Sequence, residues 1–293
     1  MKPTIGITSG DPAGIGPEVI RAALASRDLP GDFEFEVVGE TSGHKPGAPT
    51  KESARAAVEA LETAAKNLLS GKWQAVVTGP VSKKALHDVG CDFPGQTEFF
   101  AARAGVENFA MCLTGGGLTV ALVTAHVPIA HVAGLLKTSE IVRIGTLLVS
   151  FLRQCGCKEP RIAVAGLNPH AGEGGDIGTE EIEIITPAVE ELATTKDAVF
   201  SGPLPPDTIF QRAVAGEFDG VLCMYHDQGL IPLKLHAFDQ GVNVTLGLPF
   251  VRTSPGHGTA FGIAGKGLAR PDSMLAAIQL AATMLRVCRA VRG

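Results

Sequence analysis

The chain has 293 residues, which is enough for one large or two ordinary domains. Hydrophobic residues make up 45% and charged residues 19%, so the chain is expected to be globular rather than disordered. The net charge of −5 argues against a nucleic-acid partner, and no apolar run is long enough to predict a membrane span. The N-terminus lacks a signal-peptide core, and six cysteines without zinc or redox spacing indicate reduced thiols, so we expect a cytoplasmic location.

Apolar runs alternate with segments of helical periodicity, which predicts an α/β protein. Strands are predicted at residues 4–8, 33–38 and 75–78, and helices at residues 17–25 and 51–69, with a short helix after Glu98. A glycine-rich turn, GDPAGIG, joins the first strand to the first helix. Such a turn can bind an anion through backbone N–H groups, but its spacing is not that of a dinucleotide-binding turn.

The second half of the chain continues this alternation. A hairpin is predicted from residues 110–113 and 118–124, and further strands at residues 161–166, 221–224 and 242–246. Helices are predicted from Thr138 or Ser139 to Gln154, over 179–192 with a break or kink at Pro187, and over 207–215. Another begins near Asp227 and is limited or kinked by Pro232, and the last is capped by Asp272 or Ser273.

A group of polar residues follows the apolar run 221–224. Its members are His226, Asp227, Lys234, Asn243, Arg252 and His257. Open α/β sheets bind ligands at the carboxyl ends of their strands, so this segment is a candidate site. Imidazole and carboxylate can bind a metal or move a proton, and the lysine, asparagine and arginine can hold an anion. The alternative is a set of surface charges and satisfied structural residues.

Three histidines each follow a predicted strand: His126, His170 and His226. Imidazole is a common ligand of divalent metals, so the three form a candidate metal site. Their spacing is too wide for a local metal motif. From the residues alone, loop histidines with hydrogen-bonding roles are the favoured interpretation.

Several glycine-anchored blocks are spread along the chain in a fixed order. They are GDPAGIGPE at residues 10–18, TGPVSK at 78–83, GQTEFF at 95–100, GLNPHAGEGG at 166–175, YHDQGLIPLK at 225–234, GVNVTLGLPFVRTS at 241–254 and HGTA at 257–260. Together they resemble the 4-hydroxythreonine-4-phosphate dehydrogenase (PdxA) family of pyridoxal phosphate biosynthesis. The resemblance covers nearly the whole chain.

This resemblance implies an isocitrate-dehydrogenase-like fold, with two α/β/α domains and an active-site cleft between them. The first domain would comprise residues 1–95 and 253–293, and the second residues 96–252. The resemblance also implies a homodimer whose active site lies at the subunit interface.

The resemblance further implies a metal-dependent dehydrogenase that oxidises the hydroxyl of a small phosphorylated hydroxy acid with NAD or NADP. One divalent metal (Zn, Mg, Co or Mn) would be bound by His126, His170 and His226. The substrate would be held by Gln96, Thr97, Lys234, Asn243 and Arg252, with Asp227 and Lys234 as catalytic residues. The cofactor would contact His257, Gly258 and Thr259.

Two features depart from the family pattern. Gln96 stands where the family typically has histidine, and the segment near residue 45 is short. The usual substrate, 4-hydroxythreonine 4-phosphate, is oxidised with decarboxylation. The alternatives are a 4-phosphothreonate or 4-phosphoerythronate, or a terephthalate cis-dihydrodiol. More distant alternatives are a metal-dependent hydrolase and a non-catalytic anion-binding protein.

Overall fold

The computed structural model describes residues 2–292, with side chains up to residue 290. The strands are β1 (Thr4–Thr8), β2 (Glu34–Val38), β3 (Ala75–Thr78), β4 (Ala110–Gly115), β5 (Leu118–Leu122), β6 (Arg161–Ala165), β7 (Val199–Leu204), β8 (Gly220–Cys223), β9 (Val242–Leu246) and β10 (Val251–Pro255). The helices are α1 (Gly16–Leu24), α2 (Lys51–Leu69), α3 (Lys83–His87), α4 (Gln96–Ala104), α5 (Val132–Leu135), α6 (Thr138–Gln154), α7 (Thr186–Thr194), α8 (Ile209–Val214), α9 (His226–Ala237) and α10 (Asp272–Arg292). The predicted α/β class is confirmed.

The chain divides into two units, one formed by Met1–Glu107 with Asp239–Gly293 and the other by Asn108–Phe238. The predicted boundaries lay at residues 95/96 and 252/253, so the first unit is larger than expected. The difference arises because α4 packs Phe99 and Phe100 into the same core as Leu61 and Trp73. In addition, β9 pairs with β10, and both strands belong to the first unit.

The first unit contains the strand order β2-β1-β3-β10-β9. The first four of these strands are parallel, and β9 runs antiparallel to β10. The carboxyl ends of β1, β3 and β10 therefore share one edge of the sheet. Three loops leave that edge: the glycine-rich turn after β1, Gly79-Pro80 after β3 and the loop after β10.

The second unit contains the strand order β4-β5-β8-β6-β7. The antiparallel pair β4 and β5 forms the predicted hairpin, whereas β5, β8, β6 and β7 are parallel. Apolar side chains from these strands pack with Leu230 and Leu233 of α9 in one core cluster. Within residues 2–292, no helix is both long and apolar enough to cross a bilayer.

Several predicted boundaries agree with the structure, and others need correction. α2 begins after Thr50, whose hydroxyl accepts a hydrogen bond from the Ser53 backbone as part of a capping box. The cap of α6 is Lys137, without a side-chain bond, so the predicted cap at Thr138 or Ser139 is wrong. The helix α9 continues five residues past Pro232, because buried leucines on either side hold it against the core.

The strands β7 and β10 were not predicted. β10 is buried along its whole length although it carries Arg252, Thr253 and Ser254. Its polarity hides it from a search for apolar runs. The predicted break at Pro187 is a π-helical turn, Glu181–Ile185, that precedes α7. Because proline has no N–H to donate, the i→i−4 ladder is interrupted near this point.

Candidate active site

The three candidate metal ligands lie at one edge of the second unit. His126 follows β5, His170 follows β6, and His226 begins α9 after β8. These strands are parallel neighbours in the order β5-β8-β6, so their carboxyl ends are adjacent. We call His126, His170 and His226 the histidine edge.

Two members of the histidine edge lie close together. The ring centroids of His126 and His226 are 5.6 Å apart, with the planes inclined by 44°. Two imidazoles that bind one zinc ion at about 2.0–2.1 Å place their ring centroids roughly 5 Å apart. The pair therefore fits two ligands of one ion. Both residues line a cavity of about 410 Å³.

Two imidazoles of the histidine edge are paired with carboxylates. Nδ1 of His226 lies 2.6 Å from Oδ1 of Asp227, and Nδ1 of His170 lies 2.6 Å from Oε1 of Glu173. A metal-binding histidine usually donates its other ring N–H to such an oxygen, which fixes the tautomer. Here each pairing leaves Nε2 as the acceptor nitrogen. Glu173 was not among the predicted site residues.

The backbone around His170 is unusual. His170, Ala171 and Glu173 have φ of 52°, 55° and 47°, and the glycines among them are also left-handed. Each non-glycine residue in this region costs roughly 1–2 kcal/mol. Strain of this kind persists where the surrounding structure fixes the chain, and it is frequent at functional sites.

Gln228 ties two strand ends of the histidine edge together. Its side chain accepts a hydrogen bond of 2.6 Å from the Met224 backbone after β8 and donates one of 2.7 Å to the Gly166 carbonyl after β6. The side chain is buried. This role of Gln228 was not predicted, although the residue lies in the YHDQ block.

Among residues 2–292, no three His, Cys, Asp or Glu side chains of one chain are grouped closely enough to hold a metal ion. The described chain thus brings His126 and His226 together and leaves His170 outside that pair. The sharing of one metal by all three histidines stays a prediction.

The first unit contains a buried cation, Arg252 on β10, which is only 3% exposed. Its Nη2 donates to Oγ1 of Thr78 at 2.7 Å and to Oε1 of Gln96 at 3.1 Å. Its Nη1 donates to Oγ1 of Thr245 at 3.2 Å and, at 3.4 Å, to Oγ1 of Thr97. We call Arg252 and these four contact residues the arginine cluster.

The arginine cluster surrounds a positive charge with neutral oxygens. Burial lowers the pKa of Arg252 to about 10, and the charge of nearby Glu98 acts in the opposite direction. The Nε–H of Arg252 is buried and has no hydrogen-bond partner within the described part of the chain. A desolvated guanidinium with a spare donor is suited to an anionic ligand.

Asn243 and Gln96 differ in how their amides are used. Oδ1 of Asn243 is buried without a partner among residues 2–292, so it is a spare acceptor. Asn243 and Thr245 are two residues apart on β9 and share one face of the strand. Gln96, by contrast, uses both ends of its amide: Nε2 donates to the Gly79 carbonyl at 3.0 Å, and Oε1 accepts from Arg252.

The predicted cofactor loop, His257 to Thr259, packs on the glycine-rich turn of the same unit. The Thr259 carbonyl accepts a hydrogen bond of 2.9 Å from Ile15 N, and a Cβ on Gly14 would lie 2.9 Å from that carbonyl. Glycine is therefore needed where the two segments meet. Nε2 of His257 is buried and has no partner within residues 2–292.

Lys234 is exposed on α9, eight residues after His226. At 1.5 Å per residue, the two backbones are roughly 12 Å apart along the helix axis. Lys234 therefore lies on the same helix as His226 but about two turns further along it. Asp227, also exposed, is adjacent to His226 and contacts its ring.

Comparison with known proteins gives consistent matches. The family model described as pyridoxal phosphate biosynthetic protein PdxA matches residues 19–281. A protein of Desulfosudis oleivorans named 4-hydroxythreonine-4-phosphate dehydrogenase is 44% identical, covering 96% of this chain and 95% of its own length. The alignment spans 322 positions, more than the 293 residues here, so that relative contains residues that this chain lacks.

Solved structures give the same picture. The crystal structure of 4-hydroxythreonine-4-phosphate dehydrogenase from Klebsiella pneumoniae has a TM-score of 0.80 at 37% identity, covering 96% of this chain and 99% of that one. A terephthalate 1,2-cis-dihydrodiol dehydrogenase from Burkholderia xenovorans has a TM-score of 0.68 at 29% identity, covering 96% and 97%.

A more distant match concerns the fold alone. Isocitrate dehydrogenase from Methylococcus capsulatus has a TM-score of 0.53 at 17% identity, covering 99% of this chain and 90% of that one. The predicted likeness to the isocitrate dehydrogenase fold is confirmed.

Proposed function

The chain belongs to the PdxA family of pyridoxal phosphate biosynthetic proteins, and on this premise we propose that it oxidises the hydroxyl of 4-hydroxythreonine 4-phosphate. The electron acceptor would be NAD or NADP, and decarboxylation would follow the oxidation. The observation that carries the proposal is the arginine cluster, because it presents a buried cation without a bonded carboxylate. Such a group suits the phosphate of this substrate.

The arginine cluster would act as the phosphate subsite. The hydroxyls of Thr97 and Thr245 can rotate to donate to a phosphate oxygen, and the guanidinium supplies charge-assisted bonds. Burial that lowers the pKa of Arg252 also means that a bound anion would be strongly favoured there. The spare Oδ1 of Asn243 would accept a hydrogen bond from an ammonium or hydroxyl of the same substrate.

The histidine edge would hold one divalent metal (Zn, Mg, Co or Mn) through His126, His170 and His226. When bound, the metal supplies Lewis acidity that lowers the pKa of the substrate hydroxyl. The donor set fits, since neutral imidazoles with carboxylate partners are typical of metal ligands. Asp227 would accept the Nδ1 proton of His226 in a hydrogen bond. This contact would fix the ring so that Nε2 is free to bind the metal.

Lys234 and the His257 loop have proposed roles that follow from position and charge. The exposed ammonium of Lys234 would bind a charged group of the substrate or supply a proton to it. The loop from His257 to Thr259 would contact the nicotinamide cofactor, and the buried Nε2 of His257 would form a hydrogen bond with it. We propose a cytoplasmic location, in which the six free thiols stay reduced.

A homodimer would complete the active site. On α9 and its end, Ile231, Leu235 and Phe238 are 65%, 88% and 70% exposed. They are spaced by four and three residues, so they share one face of the helix. A second copy of the chain would cover this apolar face. It would also supply the third histidine of the metal site, because one chain, over residues 2–292, brings only His126 and His226 together.

The function is tested by a substrate screen. The purified protein is assayed for NADH or NADPH formation with each divalent metal and with three candidates: 4-hydroxythreonine 4-phosphate, 4-phosphoerythronate and the terephthalate cis-dihydrodiol. Rapid turnover of the first supports the proposal. A preference for either of the others, or no reduction of the cofactor, contradicts it.

The shared metal site is tested by subunit complementation. His126→Ala, His170→Ala and His226→Ala are made separately and mixed in pairs under conditions that exchange subunits. If the three ligands of one site come from two chains, at least one pair recovers part of the wild-type activity, because one site of the mixed dimer is intact. No recovery in any pair would contradict a site shared between subunits.

A further inference from the structure

Glu181 is a buried carboxylate beside the histidine edge. Its side chain is 3% exposed, and it lies on the π-helical turn that precedes α7. Buried carboxylates are rare unless their oxygens are hydrogen-bonded, so the contacts of Glu181 indicate its role. Single π-helical turns are also frequent at functional sites.

The hydrogen bonds of Glu181 go to the segment that contains His170. Oε1 accepts from the backbone N–H groups of Leu167 and Asn168, both at 2.7 Å. Oε2 accepts from the side-chain amide of Asn168 at 2.9 Å. One carboxylate thus fixes the first residues that follow β6. We call residues 167–178 the His170 loop.

The His170 loop is also wrapped closely around this carboxylate. A Cβ on Gly172 would lie 2.8 Å from Oε2 of Glu181, and one on Gly166 would lie 3.1 Å from Oε1. The left-handed residues from His170 to Gly174 carry the chain around it. The unusual backbone of His170 is therefore held from inside the loop by Glu181.

We infer that Glu181 is a positioning residue, which holds the His170 loop in the shape that presents the imidazole to a metal ion. The inference rests on the proposed metal role of His170. Glu181 would not touch the metal, because its oxygens are already occupied by N–H donors of the loop. Its effect would be to prevent the loop from relaxing to an ordinary right-handed path.

Glu181→Gln is the informative variant because it keeps size and changes one oxygen to an NH₂ group. The amide oxygen of the glutamine can still accept the two backbone hydrogen bonds. Its NH₂ group would then face the NH₂ group of Asn168, and two donors cannot form a hydrogen bond. Glu183→Gln is the matched control, since Glu183 is exposed on the same turn and loses the same charge.

The measurement is a Co²⁺ titration of the metal-free full-length proteins, followed by visible absorption. We expect Glu181→Gln to bind Co²⁺ at least tenfold more weakly than wild type, as found for residues that orient metal ligands. Glu183→Gln should stay within twofold of wild type, and His170→Ala should lose affinity at least as strongly as Glu181→Gln. Unfolding temperatures of the metal-free proteins show that each variant is folded.

The outcomes separate the inference from the proposed function. If wild type binds Co²⁺ and His170→Ala weakens it, but Glu181→Gln matches wild type, the inference alone is wrong. If wild type binds no Co²⁺, the proposed metal site fails and the inference fails with it. A purely structural role would lower the unfolding temperature of Glu181→Gln without changing Co²⁺ affinity, which would also overturn the inference.

A second variant covers the case in which Glu181→Gln does not fold. Asn168→Ala removes the side-chain bonds to Oε2 of Glu181 and to Oε2 of Glu180, and it leaves the two backbone bonds to Glu181 in place. Glu180→Gln, which keeps both the Asn168 amide and Glu181, is the control for the second of these bonds. We expect about threefold weaker Co²⁺ binding and faster hydrogen exchange in the His170 loop than in wild type. Unchanged affinity together with unchanged exchange would overturn the inference.

Discussion

The arginine cluster and the histidine edge are built in opposite ways. Arg252 is 3% exposed, and its donors are held by side chains from β3, β9 and α4. At the histidine edge the side chains of His170 and His226 are 60% and 31% exposed, and their ring partners are carboxylates one to three residues away. One cation is fixed by long-range contacts, whereas the imidazoles are fixed by local ones.

This difference indicates which part of the site one chain supplies by itself. The residues of the arginine cluster all belong to the first unit, so the proposed phosphate subsite is formed by one unit of one chain. The histidine edge of a single chain pairs only His126 with His226 among the described residues. We therefore expect phosphate recognition to survive in a monomer and metal binding to require the dimer, as proposed.

Arg252→Met should have the largest effect and would test the arginine side of the comparison. A hydrogen bond to a charged group contributes about 1.5–3 kcal/mol. Losing two of them to a phosphate would lower kcat/KM by roughly 10² to 10⁴. The measurement is steady-state kinetics with 4-hydroxythreonine 4-phosphate. Arg212→Met, at a surface ion pair with Glu217, is the control. A kcat/KM within threefold of wild type for Arg252→Met would rule out a phosphate role for Arg252.

Asp227→Asn tests the local pairing that fixes His226. The amide can still accept the ring N–H but carries no charge, so the imidazole becomes a weaker ligand. We expect Co²⁺ or Zn²⁺ affinity to fall by about tenfold or more, within the range known for such partners. Asp207→Asn, at an exposed position of the same unit, should bind metal as wild type does. Equal affinity for both variants would count against the orienting role of Asp227.

The placement of the histidines could be predicted because it depends on strand ends alone. His126, His170 and His226 each follow an apolar run, and the structure places them after adjacent parallel strands. The strand β10 could not be predicted in the same way. Its Arg252 and Thr253 are buried by contacts with Thr78 and the Ala277 carbonyl, which lie far away in the sequence.

The roles of Glu181 and Glu173 also could not be predicted from the sequence. TEEIEII contains three glutamates within four residues, and nothing in the pattern says which of them is buried. Glu181 is buried because the left-handed His170 loop folds over it, and such a backbone has no periodic signal. Glu173 becomes a partner of His170 only through the same backbone.

Gln96→Glu would break the contrast by giving the arginine cluster a carboxylate of its own. The new charge would lie beside Nη2 of Arg252, which Gln96 now contacts at 3.1 Å. An internal ion pair would compete with the substrate phosphate, so we expect KM to rise about tenfold with a smaller change in kcat. Gln211→Glu makes the same charge change at an exposed position and should leave KM unaltered. An unchanged KM in Gln96→Glu would show that the phosphate does not bind at Arg252.

Asp219→Asn should have the smallest effect, and it tests whether the amino ends of the strands in the second unit serve stability alone. Asp219 precedes β8 and accepts three hydrogen bonds from Arg161 at the start of β6, at 2.8–3.0 Å. These bonds, the Arg161 side chain first, lower the pKa of Asp219 below the ordinary value of 3.8. A carboxyl whose pKa is lowered by folding stabilises the protein above its unfolded pKa, and that contribution is lost as the pH falls through the folded value.

At pH 7 we therefore expect Asp219→Asn to lose about 1 kcal/mol of unfolding free energy, or roughly 2 °C in unfolding temperature. The difference in unfolding temperature between Asp219→Asn and wild type should become smaller below pH 3.8. Asp92→Asn, at an exposed position, should unfold at the wild-type temperature at both pH values. Co²⁺ affinity and kcat/KM should match wild type, because the amino ends of the strands lie away from the histidines. Weakened Co²⁺ binding in Asp219→Asn would mean that the two edges are coupled and that the histidine edge is not fixed by local contacts alone.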